Sequence, residues 1–268
     1  MIQLIVGDLS EHAGRVAGRV TIVTGSGGGM GGAIAMRLAE EGADIVLNDR
    51  AAERASRCEE DIRRLGRDVV TVVASVTRRE GAQAVVQAAL DRWDRVDVLV
   101  NVVGGIKGSV RNPVWTMTDD EWDAAVGLNL RGTFLCTQLV AESMMARRSG
   151  KIINIASTSW ADEEGLHPHY AAAKAGVVAF TRSVAAQLAP YDINVNAVAP
   201  GPTATGHAGL DAAAQGNPVD SAAGASTPLG RVNDPVDIAN AVLFLASAES
   251  RNISGQLVTV AGGHNPSL

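Results

Sequence analysis

Seven short runs rich in β-branched and other apolar residues recur along this 268-residue chain, and a longer stretch of helical periodicity separates each from the next. The runs are RVTIVTG (19–25), DIVLND (44–49), VVTVVAS (69–75), VDVLVN (96–101), KIINIAS (151–157), INVNAVAP (193–200) and QLVTV (256–260). Each is short and mostly apolar, the pattern of a strand buried on both faces. Between them lie GAIAMRLAEEG, AAERASRCEEDIRRLG, REGAQAVVQAALDRW, TDDEWDAAVGLNLRGTFLCTQLVAESMMARR, AAAKAGVVAFTRSVAAQLA and DPVDIANAVLFLAS, whose apolar residues return every three or four positions. Parallel strands need crossover connections, so strict alternation predicts an α/β doubly wound fold: seven parallel strands, right-handed crossovers and helices on both faces.

No linker, repeat or low-complexity tract divides the chain, and 19–268 reads as a single domain with 1–18 as an N-terminal extension. The exception to the regularity is 201–228, a stretch rich in Ala, Gly, Ser and Pro. A loop of that length inside a compact domain is usually functional or disordered. It follows the sixth strand, at the edge where doubly wound sheets bind ligands, so 202–228 reads as a mobile substrate lid.

Charge narrows the function classes. The net charge is -6 and no basic block occurs, which argues against nucleic acid or an anionic membrane as partner. No apolar run reaches the roughly 18 residues of a membrane span, and the N-terminus lacks the basic region of a secretory signal. Cys58 and Cys136 lie far apart, without CxxC spacing or clustered histidines, and read as free thiols with no metal site. A cytoplasmic protein is expected.

TGSGGGMGG (24–32) follows the first strand directly and opens the first helix. Glycines there let the backbone approach a pyrophosphate, and the helix N-terminus offers free N–H groups and a positive dipole end. The candidate contacts are Gly25, Ser26, Gly28, Gly29, Met30 and Gly31. Asp49 ends the second strand, twenty residues after Gly29, where a carboxylate accepts from the adenosine ribose hydroxyls; its alternative is a helix N-cap. Asn101 and Gly104 close the fourth strand at the same edge and line the cleft or form a plain turn.

In HPHYAAAKAG (167–176), Tyr170 and Lys174 stand one helical turn apart. A free phenol titrates near pH 10 and is a poor base at neutral pH, whereas a neighbouring ammonium favours its phenolate. Ser157, Thr158 and Ser159 follow the fifth strand directly, and nothing in their position alone separates them. Asn129 sits within a long helical pattern where asparagine is a poor helix former.

In this order TGSGGGMG, NVVG, NLRGTF, INIAS, YAAAK and APGPTAT resemble the short-chain dehydrogenase/reductase (SDR) family from about Arg19 to Gly263. The resemblance implies a Rossmann-type fold and hydride transfer between a nicotinamide dinucleotide and an alcohol or ketone, without a metal. It assigns Asn129, Ser157, Tyr170 and Lys174 to catalysis, Tyr170 as acid/base and Asn129 orienting Lys174 through water. It adds Ser75 and Val76 toward the adenine, and Pro200, Gly201, Thr203 or Thr205 toward the nicotinamide, with Val198 packing there; Tyr170 and Lys174 also touch the cofactor. It further implies a homotetramer built on helices read at 118–146 and 170–189.

The chain departs from the family pattern at Val102 and Val103, at Ser75 where an aspartate is usual, and at Ala261. NAD is expected over NADP, because Asp49 would repel a 2′-phosphate and Gly28 adds no positive charge. Arg50 is the opposing feature, unless it is simply exposed or paired with Glu53. Ser159, Trp160, His167, Gly105 to Lys107 and the lid are the candidate substrate contacts, and Lys107 and Arg111 could attract an anion. The competing readings are a noncatalytic dinucleotide sensor on the same fold and a carbon–carbon double-bond reductase, whose tyrosine and lysine are usually spaced more widely.

Overall fold

The computed structural model describes residues 14–106, 113–161, 167–205 and 227–264. Seven parallel strands form one sheet: β1 (Val20–Thr24), β2 (Asp44–Asp49), β3 (Val69–Val73), β4 (Val98–Asn101), β5 (Gly150–Ile155), β6 (Ile193–Pro200) and β7 (Leu257–Val260). Their order across the sheet is β3-β2-β1-β4-β5-β6-β7. The direction of winding reverses between β1 and β4, and the cleft outside the strands' C-terminal ends at that point is where such sheets take ligands.

The crossovers are α1 (Gly29–Glu40), α2 (Ala52–Arg64), α3 (Arg79–Trp93), α4 (Asp119–Val126), α5 (Gly132–Arg147), α6 (Pro168–Leu188) and α7 (Pro235–Ala246). Alternate strand residues feed two cores. Val23, Ile45, Leu47, Val98, Val100 and Ile153 pack with α1 and α7, while Ile22, Val46, Leu99, Ile152 and Val195 pack with α3, α5 and α6. That alternation is the sheet's two-residue period with both faces covered.

Two helices begin on side-chain caps that the sequence encodes. Thr118 with Glu121 and Asp234 with Asp237 each form a reciprocal capping box. The single helix expected over 118–146 is instead α4 and α5 joined by a π-helical segment, Gly127–Arg131. At the opposite end of the sheet Asp97 accepts from Val20 N at 2.8 Å and pairs with Arg95 and Arg147 at 3.1 and 2.9 Å, which ties β1, β4 and α5 together away from the cleft.

Of 1–18, the described part lies on the domain: Val16 is buried in the first core and Val16 N donates to Glu41 O at 3.2 Å. Cys58 and Cys136 are free and buried. Among the described residues no helix is long and apolar enough to cross a membrane, and no cluster of metal-ligating side chains occurs.

Candidate active site

The β5 strand ends at Ile155, and the chain then turns through Ser157 into a short 3-10 segment, Thr158–Ala161, that packs on α6. This brings the Ser157 hydroxyl into hydrogen-bond contact with the Tyr170 phenol. Burial pushes the phenol above its ordinary range, and the bond from Ser157 offsets part of that shift. Ser159 N donates to Ser157 Oγ at 3.2 Å, so the rival serine supplies backbone that aims the Ser157 hydroxyl.

Lys174 is 2% exposed. Its Nζ donates to Ile155 O at 2.8 Å and lies over the Tyr170 ring, 5.7 Å from the centroid. Burial pulls the ammonium down to about 8. A carbonyl at the end of β5 thus anchors the lysine beside the tyrosine, an anchor that no side-chain pattern records.

Asn129 lies fully buried in the π segment. In an α-helix the Ala125 carbonyl would receive the Asn129 backbone N–H. Here Asn129 Nδ2 also reaches that carbonyl at 3.0 Å, at the point where the winding loosens. The same amide grips the loop after β4 from both sides: Nδ2 donates to Gly105 O at 3.0 Å and Oδ1 accepts from Gly105 N at 2.9 Å. A Cβ on Gly104 would fall 2.7 Å from Asn129 Oδ1 and 2.9 Å from Lys174 Nζ. The two polar groups therefore face one small space kept open by Gly104.

The glycine turn meets this cluster across the cleft. Gly25 adopts a φ of 67°, which glycine tolerates without cost, and Gly31 packs so tightly that a Cβ would sit 2.0 Å from Gly25 O. Helix α1 starts with no side-chain cap and no acidic residue in its first turn. Its leading N–H groups, beside the exposed Gly28 and Gly29, fit an anion. Asp49 holds this turn: Oδ2 accepts from Gly27 N at 3.0 Å and Oδ1 from Ala51 N at 2.9 Å. The formal N-cap of α2 is Ala51, without a side-chain cap, so Asp49 braces the entry to that helix from two residues before the cap position.

Several expected contacts are placed otherwise. Ser26 is buried and exchanges bonds with β2, accepting from Asn48 N at 2.9 Å, and Met30 packs against the core. Asn101, expected at the cleft, points inward: it donates to Asn154 Oδ1 at 2.9 Å and Thr137 Oγ1 at 3.3 Å, because its parallel register partner is Asn154. Val198 is fully buried in the first core. Val76 packs in the second core, and the Ser75 hydroxyl pairs with Thr77 at 2.9 Å. Of the two rival threonines, Thr203 bonds Gly201 O at 2.9 Å and bridges to Asn233, whereas Thr205 faces Gly29, where a Cβ would come within 3.3 Å of its side chain.

Pro200 ends β6, and Gly201 packs against Ala261, whose Cβ a side chain at 201 would meet at 2.8 Å. Trp160 packs beside α6 and β6, its indole nitrogen buried without a partner among the described residues. His167 precedes α6 with its ring 6.4 Å from that of His169. Arg50 is exposed and, among the described residues, makes no ion pair with Glu53. Lys107, Arg111 and 206–226 of the lid lie outside the described residues. Gly27, absent from the expected contacts, is the glycine in direct hydrogen bond with Asp49.

Comparison with known proteins adds an independent finding. Residues 25–265 match the family model described as enoyl-(acyl carrier protein) reductase. The chain is 37% identical to the (2S)-[(R)-hydroxy(phenyl)methyl]succinyl-CoA dehydrogenase subunit BbsD of Thauera aromatica, over 93% of this chain and 98% of that one. It is 34% identical to the 3-oxoacyl-[acyl-carrier-protein] reductase FabG of Thermotoga maritima, over 93% and 98% respectively. Its structure resembles that of a 7α-hydroxysteroid dehydrogenase complexed with NADH and 7-oxo glycochenodeoxycholic acid, with a TM-score of 0.85, 32% identity and coverage of 95% and 97%.

Proposed function

The chain belongs to the short-chain dehydrogenase/reductase family, and on that premise we propose that it interconverts a secondary alcohol and a ketone, with NAD as cofactor and Tyr170 as general acid/base. The observation that carries the reading is the meeting of Ser157, Tyr170, Lys174 and Asn129 at the cleft edge opposite an uncapped helix N-terminus. A dinucleotide sensor would need the glycine turn and Asp49 but not these four side chains. The three-residue gap between Tyr170 and Lys174 favours carbonyl over carbon–carbon double-bond chemistry.

The residues present fit a dinucleotide. The first turn of α1 would hold the pyrophosphate, Asp49 the adenosine ribose, and Thr205 and Lys174 the nicotinamide end. When bound, the nicotinamide supplies or accepts the hydride. Ser157 Oγ holds the substrate oxygen, and Tyr170 Oη removes its proton in oxidation or returns one in reduction. Lys174, anchored on Ile155 O, favours the phenolate by its charge, and Asn129 fixes the Gly105 loop that borders the lysine. Screening alcohols and ketones by the absorbance of the reduced nicotinamide tests the reading; no turnover across secondary alcohols and ketones would defeat it.

Asp49 sets the cofactor expectation, since a 2′-phosphate beside it would place anion against anion. NAD should be preferred by at least about tenfold in kcat/KM, corresponding to roughly 1.4 kcal/mol. Equal efficiencies, or a preference for NADP, measured with one substrate would show that Arg50 dominates. The NADH in the hydroxysteroid dehydrogenase supports the choice. The reading extends to a cytoplasmic homotetramer assembled through α4, α5 and α6, with small residues in YAAAKAGVVAF permitting close helix approach. Light scattering is expected to give four copies; a monomer at micromolar concentration would contradict it.

A further inference from the structure

We infer that Gly27 sets the cofactor preference, by leaving the space in which the Asp49 carboxylate is held for the adenosine ribose; this rests on the NAD reading above. Gly27 is buried between the first turn and β2, and it is not among the glycines with positive φ. Its backbone would therefore accept an L-residue, and the need for glycine comes only from its neighbours. A Cβ there would lie 2.7 Å from both Asp49 Cγ and Oδ2, and 2.8 Å from Arg54 Cβ.

The carboxylate is gripped from two sides, Gly27 N on Oδ2 at 3.0 Å and Ala51 N on Oδ1 at 2.9 Å. A carboxylate has about four acceptor directions, so one on each oxygen remains for a pair of ribose hydroxyls. Any side chain at 27 would push the carboxylate out of this geometry.

Its surroundings make that placement decisive. Gly27 and Gly28 border a cavity of about 460 Å³ whose wall carries Arg54 and Arg57 but also Glu53 and Asp61. These charges balance, which leaves Asp49 and the exposed Arg50 as the opposed pair at the ribose. With Asp49 fixed, a 2′-phosphate meets an anion; with Asp49 displaced, Arg50 receives it.

The test is a double-mutant cycle read by binding, without substrate. Dissociation constants of NADH and NADPH, from nicotinamide fluorescence, are measured for wild type, Gly27→Ala, Asp49→Ala and the double variant. The wild type should bind NADH at least about tenfold more tightly, Gly27→Ala should bring the two within about threefold, and the double variant should match Asp49→Ala. Equal weakening of both cofactors by Gly27→Ala, or additive effects in the double variant, would overturn the role of Gly27. A wild-type ratio at or below unity would instead overturn the NAD reading. If Gly27→Ala does not fold, the double variant decides: recovered folding identifies the carboxylate as the clash, and continued unfolding shows that the turn itself requires glycine.

Discussion

Replacing Tyr170 with phenylalanine is expected to lower kcat by at least about a hundredfold while leaving the dissociation constant of the dinucleotide nearly unchanged. The substitution removes one oxygen and keeps the ring over which Lys174 Nζ lies at 5.7 Å. Packing at the start of α6 therefore survives, and the Ser157 hydroxyl keeps its place through the Ser159 backbone bond at 3.2 Å. What disappears is the group that carries the proton of the substrate oxygen. Turnover near the wild-type rate would end the proposed mechanism.

Lys174→Met is expected to abolish most activity, by a hundredfold or more on the scale of a lost acid–base partner, and to weaken cofactor binding. Unchanged cofactor affinity would remove its second role. The same variant carries a separate signature in stability. Burial lowers the ammonium from 10.5 to about 8, so between those values the unfolded chain binds the proton and the folded chain does not. Stability from this group therefore rises with pH through that window, and below it the buried charge costs roughly 3 kcal/mol. Methionine removes that cost but leaves Ile155 O without its donor, a loss of about 1–3 kcal/mol.

The quantity to follow is the difference between variant and wild type in denaturant unfolding. It cancels the opposing titration of Cys58 and Cys136, whose thiols burial pushes up to about 11 and about 12. The variant's advantage at neutral pH should shrink by roughly 3 kcal/mol as pH rises from about 8 to about 10.5. A difference that stays flat would show that Lys174 is not held as a desolvated cation.

The sheet was legible because both of its faces are covered, and that requirement writes itself into the sequence as apolar runs. The ends of the runs were less so. VDVLVN begins as a strand only at Val98, since Asp97 turns to Val20 N and its arginines at the sheet's base. Tyr170, Lys174 and Ser157 could be found because helical spacing and a strand's end fix them locally. Asn101 could not be placed from its position alone: the neighbour that draws it inward, Asn154, lies on the next strand. Gly27 was passed over for a related reason. The glycine fingerprint counts residues within the turn, whereas the demand at 27 comes from a carboxylate on the adjoining strand. The anchor of Lys174 is a main-chain oxygen, which every residue carries and no sequence distinguishes.

The π segment before α5 couples catalysis to arithmetic. Each residue of an α-helix turns the chain by about 100°, so a turn wound more loosely takes up one extra residue and leaves the helices on either side of it in phase. Deleting one residue between Gly127 and Arg131 would restore an even winding and leave α4 and α5 in nearly the phase they have now. The Asn129 amide would then lose either Ala125 O or Gly105, since both bonds depend on the displaced turn. One extra residue in the winding is thus what sets a side-chain amide, rather than another turn of backbone, against both the helix and the loop after β4.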